Sequence, residues 1–159
     1  MKIFLTVGSM LPFDRLVRAV DIWAKDHSSA EVFAQIGETD LRPLNIEYCT
    51  MISPSAYRKN FSDCDLVVSH VGMGTIITAA ELCKPLLMLP RRVDLHEVTN
   101  NHQIDTMNWL EGRPGVFIIH SENDLGDAIH KSIGSGQILN IEMGTRGKLI
   151  DKLCQFISD

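Results

Sequence analysis

The segment of residues 65–78 constrains the fold of this chain more than any other part of the sequence. Its apolar run, residues 66–68, ends in the polar pair Ser69 and His70, and a glycine-spaced turn occupies residues 72–75. Apolar side chains then recur at the i, i+3, i+4, i+7 spacing of one helix face: Ile76, Ala79, Ala80 and Cys83. The pattern predicts a buried strand, a tight turn and the beginning of a helix.

The turn of Gly72, Met73, Gly74 and Thr75 has the composition of an anion site. The first N–H groups of a helix lack partners within it and carry about half a positive charge, so they attract phosphates. Glycine lets a phosphate approach the backbone, because a Cβ would hold it away. These residues alone leave two interpretations open: a binding site for a diphosphate, and a turn that needs its glycines only for close packing. A GxGxxG dinucleotide fingerprint is absent, since Ile77 stands at its third glycine.

Composition excludes several classes of function. The 159 residues carry a net charge of −5, which argues against nucleic acid as a partner. The four cysteines lack CxxC spacing and lie in apolar patterns, so we expect buried free thiols and no metal site. No apolar stretch approaches the roughly 20 residues that span a bilayer. We expect one soluble, cytoplasmic domain over residues 1–159.

Strand and helix patterns alternate along the chain. Strands are predicted at residues 3–7, 30–36, 45–52, 66–70, 86–90 and 115–119. Amphipathic patterns between them predict helices that open at Pro12, at Ser53 with Pro54, after the glycine turn, at 101–110 and at Ser121. A last helix carries Ile150, Leu153, Cys154 and Ile157 on one stripe. The alternation predicts an α/β fold: a Rossmann-like, doubly wound parallel sheet of about six strands.

Ligands of such sheets bind at the carboxyl ends of the strands, which directs attention to the loops after strands one, two, four and five. Asn101, His102 and Gln103 open the helix beyond strand five. Helix capping explains one asparagine but leaves the histidine and glutamine without a role. Amide groups offer paired donors and acceptors suited to sugar hydroxyls, which makes Gln103 a candidate ligand contact.

Three further candidate residues lie at or just beyond the ends of predicted strands. Ser9 follows the first strand and faces the same crevice. His70 either hydrogen-bonds the loop backbone or donates to a phosphate oxygen. Arg91 either pairs with a phosphate or carboxylate, or is simply solvated. Neither a GxSxG elbow nor a hydrolase-like carboxylate pair is present, although Asp94 and Glu97 share a loop. We expect a chain that holds a donor substrate without performing the whole reaction.

Taken together, these motifs resemble the donor-binding half of a GT-B glycosyltransferase. The glycine turn, Lys84-Pro85, the strand at 86–90 and the Asn101–Gln103 cluster are similar to the C-terminal domains of family 28. Residues 4–9, Phe-Leu-Thr-Val-Gly-Ser, followed by Phe13 and Asp14, resemble the small soluble subunits of two-component N-acetylglucosaminyl and exopolysaccharide glycosyltransferases. The resemblance covers most of the chain.

The resemblance implies a UDP-sugar donor. Its diphosphate would lie on Gly72, Met73, Gly74 and Thr75, with Ser9 and His70 beside it. Its sugar would lie near Asn101, His102 and Gln103. Arg91 and Glu97 are possible auxiliary residues. Transfer would invert the anomeric centre without metal or cofactor. The general base and the lipid-linked acceptor would lie on a membrane-anchored partner subunit, which would recruit the chain to the cytoplasmic membrane face.

One position departs from the family pattern. The family places a ribose-binding glutamate seven residues before the proline of Lys84-Pro85, and here that residue is Thr78. A threonine offers a neutral hydrogen bond of about 0.5–1.5 kcal/mol in place of a charge-assisted one of about 1.5–3 kcal/mol. Glu81 lies three residues further along the helix and is no obvious substitute. The alternative function is therefore a noncatalytic subunit that stabilises or regulates a transferase.

Overall fold

The computed structural model describes residues 1–98 and 102–139, with the backbone alone at 102, 104 and 105. These residues form six strands: β1 Lys2–Thr6, β2 Glu31–Gln35, β3 Glu47–Cys49, β4 Leu66–His70, β5 Leu86–Leu89 and β6 Val116–Ile118. Five α-helices separate or follow them: α1 Asp14–Lys25, α2 Pro54–Asp63, α3 Met73–Glu81, α4 His102–Leu110 and α5 Leu125–Gly134. Asn101 and the predicted helix at Ile150–Ile157 lie outside the described residues.

All six strands are parallel and lie in the order β3-β2-β1-β4-β5-β6. The chain winds outward from β1 to β3 and then returns to the centre, where β4 pairs with the other side of β1. This reversal leaves a crevice above the carboxyl ends of β1 and β4, the usual ligand position in an open parallel sheet. The predicted doubly wound, Rossmann-like α/β fold is confirmed.

Helices cover both faces of the sheet because alternate strand residues point to opposite sides. On one face, Val68 packs in a core with Leu16 of α1 and Ile129 of α5. On the other, Val67 packs with Phe61 of α2 and Ile76 of α3. Each fully buried aliphatic side chain contributes about 1.5–3 kcal/mol, so the two layers hold β4 and the turn after it firmly in place.

The amino-terminal end of α1 differs from the prediction. The helix begins at Asp14, and Phe13 precedes it with φ −139° and ψ 65°, so Pro12 lies outside the helix. The reason is tertiary, because the Phe13 ring is buried and the carbonyl of Pro12 accepts a hydrogen bond from the Arg91 side chain. By contrast, the predicted Ser53 cap is confirmed: its hydroxyl accepts the Ala56 N–H at 3.3 Å.

Two other predictions need correction. The third strand is shorter than expected, because β3 is an edge strand that pairs with β2 alone, from Glu47 to Cys49. Cys83 is exposed and lies beyond the end of α3 with φ +51°, where the Lys84 N–H closes the helix onto the Ala79 carbonyl at 2.9 Å. Its expected place on the buried stripe is therefore wrong. Cys64 is buried as expected, and Cys49 partly so.

Candidate functional site

A cleft of about 630 Å³ opens at the carboxyl end of the sheet, between the segments that follow β1 and β4. Most of the predicted binding residues line it: Ser9, His70, Gly72, Met73, Gly74, Thr75, Thr78, Arg91 and Gln103. The fold thus brings together side chains that are separated by up to 94 positions in the sequence. His102 begins α4 near this edge, and Asn101 lies outside the described residues.

The amino-terminal end of α3 forms one wall of the cleft. Gly72 occupies the N-cap position in an extended conformation, and no side chain caps the helix there. A Cβ placed on Gly74 would meet no atom of the described residues within 4 Å. Packing within this part of the chain therefore does not require glycine at position 74. The open space beside it leaves the first turn of α3 accessible from the cleft.

Gly72 and Gly8 have a different role, since both press against the ring of His70. A Cβ on Gly72 would overlap the imidazole, and one on Gly8 would lie 2.7 Å from its Cε1 atom. Gly8 also has φ +81°, a conformation that other residues rarely adopt. These glycines allow the segments after β1 and β4 to close on His70, whose buried Nδ1 has no hydrogen-bond partner among the described residues.

Burial and, to a smaller extent, the neighbouring charge of Arg91 lower the pKa of His70 to about 4, against an opposing contribution from the Thr6 backbone. The imidazole is therefore neutral at pH 7. It offers one N–H donor and one acceptor nitrogen, with no positive charge of its own.

We expect the free energy of unfolding to fall as the pH drops from 6.5 towards 4. In this window the unfolded chain protonates His70 and the folded chain does not, because its pKa is depressed to about 4. The contribution of His70 to the free energy of unfolding is fully present above pH 6.5, and roughly 3 kcal/mol of it is lost as the pH approaches 4. Urea unfolding at pH 7 and pH 4.5 measures the change. A His70→Gln variant with the same pH slope as the wild type would contradict the assignment.

Gln103 is fixed at the edge of the cleft by the segment after β5. Its side-chain oxygen accepts the backbone N–H of Arg91 at 3.1 Å. The contact orients the carboxamide and ties α4 to the end of β5.

The two predicted auxiliary residues, Arg91 and Glu97, both have protein partners, and of the two Arg91 lines the cleft. The Arg91 guanidinium lies 4.7 Å from the Phe13 ring centroid and donates to four backbone carbonyls, those of Val7, Leu11, Pro12 and Glu97. Glu97 does not line the cleft. Its carboxylate accepts two hydrogen bonds from Arg15, both at 2.8 Å. This partly buried pair fastens the segment after β5 to α1.

Several cleft residues were not predicted from the sequence. Tyr57 of α2 lies across from α3, with its hydroxyl 3.4 Å from that of Thr75. Burial raises the pKa of Tyr57, opposed by the hydroxyls of Thr75 and Thr78. Met51 and Ile52, in the segment after β3, complete an apolar wall. The loop after the third strand was not among those expected to bind a ligand, yet α2 packs against β1 and α3 and brings this segment to the cleft.

Thr78 lies one turn into α3 and also lines the cleft. Its hydroxyl donates to the Gly74 carbonyl at 2.8 Å, a bond within the helix. The oxygen keeps its acceptor capacity for a ligand.

None of the helices in the described part of the chain has both the length and the apolar character that a membrane span requires.

Comparison with known proteins gives a family and a fold. The family model described as the glycosyltransferase family 28 C-terminal domain matches residues 2–133. None of the curated proteins matches the chain significantly. The NMR structure of ALG13 is similar over 94% of both chains, with 18% identity and a TM-score of 0.64.

Larger glycosyltransferases also match. The glycotransferase of kitacinnamycin has 18% identity and a TM-score of 0.62 over 83% of this chain and 34% of its own. Spinosyn rhamnosyltransferase SpnG, in complex with thymidine diphosphate, has 16% identity and a TM-score of 0.54 over 84% and 37%. The chain thus spans about a third of their length. The predicted relation to one half of a GT-B fold is confirmed.

Proposed function

The chain belongs to the glycosyltransferase family 28 C-terminal domains, and we propose that it is the donor-binding subunit of a glycosyltransferase that uses a UDP-sugar. The observation that carries this proposal is the uncapped start of α3 at the cleft, with open space beside Gly74. Such a helix start places several N–H donors and a positive dipole towards an anion. SpnG, a neighbour with the same fold, holds a nucleoside diphosphate.

In the proposed complex the diphosphate lies against Gly72, Met73, Gly74 and Thr75. Ser9 reaches it from the segment after β1, and the neutral His70 supplies an N–H donor. Charge develops on the diphosphate as the glycosidic bond breaks, and a preorganised helix start stabilises that charge. We therefore propose inverting transfer that needs no metal, with the donor sugar beside Asn101, His102 and Gln103.

We propose that the nucleoside lies along the wall formed by α2 and the segment after β3. Met51 and Ile52 supply an apolar surface for a base. The hydroxyl groups of Tyr57, Thr75 and Thr78 lie on the same side of the cleft and suit the ribose hydroxyls. The aromatic contact of Tyr57 with Phe4, at 5.5 Å between ring centroids, fixes the Tyr57 ring.

We expect Thr78→Glu to bind UDP about tenfold more tightly than the wild type. A carboxylate at this position accepts hydrogen bonds from both ribose hydroxyls, and the difference between charge-assisted and neutral bonds is about 1.4 kcal/mol. Thr78→Gln is the matched control, because it has the same length without the charge. Titration calorimetry with UDP compares the three chains. Equal or weaker binding by Thr78→Glu would remove Thr78 from the ribose site.

The acceptor site and the general base are proposed to lie on a partner subunit at the cytoplasmic membrane face. The cleft mouth carries exposed apolar side chains, with Met10 at 89%, Met51 at 55% and Leu11 at 46% of full exposure. A partner over this mouth would bury them.

Thr78 motivates one alternative, a noncatalytic subunit that stabilises a transferase. Calorimetry with UDP, UDP-N-acetylglucosamine and ADP distinguishes the two functions. The donor-binding proposal predicts measurable affinity for both uridine compounds and much weaker affinity for ADP. If the chain binds none of these nucleotides at millimolar concentration, alone or with its co-purified partner, the donor-binding proposal is wrong and the noncatalytic function replaces it.

A further inference from the structure

Arg91 is the charged residue most deeply placed at the cleft, with 8% of its surface exposed. Its two terminal nitrogens carry four N–H groups, and each donates to a backbone carbonyl: Nη1 to Pro12 and Glu97, Nη2 to Val7 and Leu11. These bonds leave no terminal N–H group free to grip a phosphate directly. The side chain instead holds the segment after β1 in place beside α3.

The charge of Arg91 is not neutralised by a bonded carboxylate within the described residues. Its hydrogen-bond acceptors are four carbonyls, which are neutral. The nearby Glu97 carboxylate offsets part of this charge through space, but its own hydrogen bonds go to the Arg15 side chain and the Arg92 N–H. The Phe13 ring is a further close contact, with its centroid 4.7 Å from the guanidinium carbon. A buried cation that no carboxylate bonds raises the electrostatic potential of the space beside it.

The cleft lies within reach of this charge. Arg91 itself lines the cleft, and its charge acts on the imidazole of His70, which stands between Gly8 and Gly72. The start of α3 adds its dipole on the same side. Two sources of positive potential therefore border the same cleft, and the one from Arg91 acts through space.

We propose that Arg91 is a positioning residue that makes the cleft select anionic ligands. Its hydrogen bonds shape the segment after β1, and its charge, which no carboxylate of the described residues bonds, attracts a diphosphate that it does not touch. The inference rests on the proposed function and assigns this charge a role in the same site. A merely structural arginine would support binding of charged and uncharged ligands equally.

The test measures the affinities of Arg91→Met and Arg91→Lys for UDP, inorganic pyrophosphate and uridine. Arg91→Met keeps an unbranched apolar stem and removes the charge, whereas Arg91→Lys keeps the charge and loses the guanidinium geometry. We expect Arg91→Met to lower the affinity for UDP and pyrophosphate about tenfold more than the affinity for uridine. This is the size of effect that one charge exerts on another across a site of intermediate effective dielectric constant. Arg91→Lys keeps the ratio of UDP to uridine affinity within about threefold of the wild type. Arg92→Met, at an exposed neighbour paired with Asp94, is the control and leaves the ratio unchanged.

An equal loss of UDP and uridine affinity in Arg91→Met would overturn the inference and leave a purely structural residue. If Arg91→Met does not fold, Arg91→Lys decides, because a collapse of its UDP to uridine ratio would also overturn it. The pyrophosphate titration distinguishes a failure of this inference from a failure of the proposed function. Charge-dependent pyrophosphate binding with no added affinity for UDP would reject a nucleotide donor and keep the role of Arg91. Failure of the wild type to bind either anion would overturn both.

Discussion

Replacing Gly74 by aspartate is expected to abolish UDP binding, with a loss of affinity of at least about a hundredfold. The space beside Gly74 is free of described protein atoms within 4 Å, so a side chain there points into room that a diphosphate would occupy. A carboxylate in that position also repels the diphosphate, and it takes the place of the diphosphate at the N–H groups of the start of α3. Aspartate near a helix start favours the helix, so the loss does not come from unfolding.

Gly74→Ala separates steric exclusion from charge. Alanine is favoured over glycine within a helix by about 0.5–1 kcal/mol, so this variant should be more stable than the wild type. Its methyl group should still weaken UDP binding about tenfold, because it holds the phosphate away from the backbone. Gly134→Ala and Gly134→Asp are matched controls, since a Cβ on Gly134 also meets no described atom within 4 Å and lies outside the cleft. Unchanged UDP affinity in Gly74→Asp would place the diphosphate elsewhere.

Arg15→Met is expected to lower the free energy of unfolding by about 3 kcal/mol. The side chains of Arg15 and Glu97 are only 12% and 11% exposed, and their two bonds form a bidentate pair. Arg15 also donates to Glu122 at 2.9 Å and to the Pro90 carbonyl at 2.9 Å. Removing it leaves a largely buried carboxylate at position 97 with the Arg92 N–H as its remaining hydrogen bond among the described residues.

Urea unfolding at pH 7 measures this loss, and Arg58→Met provides the control. Arg58 makes one ion pair, with Glu81 at 3.1 Å, and its side chain is 60% exposed. Exposed pairs contribute about 0–1 kcal/mol, so the control variant should stay close to the wild type. Equal losses in the two variants would show that the Arg15–Glu97 pair does not fasten the segment after β5.

The strands and the glycine turn could be predicted because local sequence determines them. An apolar run at 66–68 fits a strand that is covered on both faces, and the glycines after it fit a turn into a helix. The start of α1 could not be predicted in this way. Pro12 is a good first residue for a helix, yet its carbonyl is used by Arg91, which lies 79 positions away in the sequence.

The cleft was predictable where its residues follow strands directly, as Ser9 and Gly72 do. Tyr57 was not, because it lies inside α2 and reaches the cleft through the packing of α2 against α3. The partner of Glu97 could not be predicted either. Its carboxylate binds Arg15 on α1, 82 positions away in the sequence, and no local pattern joins these two residues.

A nucleoside diphosphate is proposed to bind at the first turn of α3. Titration of the isotope-labelled chain with UDP, followed by amide-resolved NMR, locates the binding site residue by residue. We expect the amide signals of Met73, Gly74 and Thr75 to shift most, together with those of Gly8 and Ser9 across the cleft, and we expect Gly74→Asp to abolish these shifts. Shifts centred on another surface of the domain, or none at millimolar UDP, would contradict it.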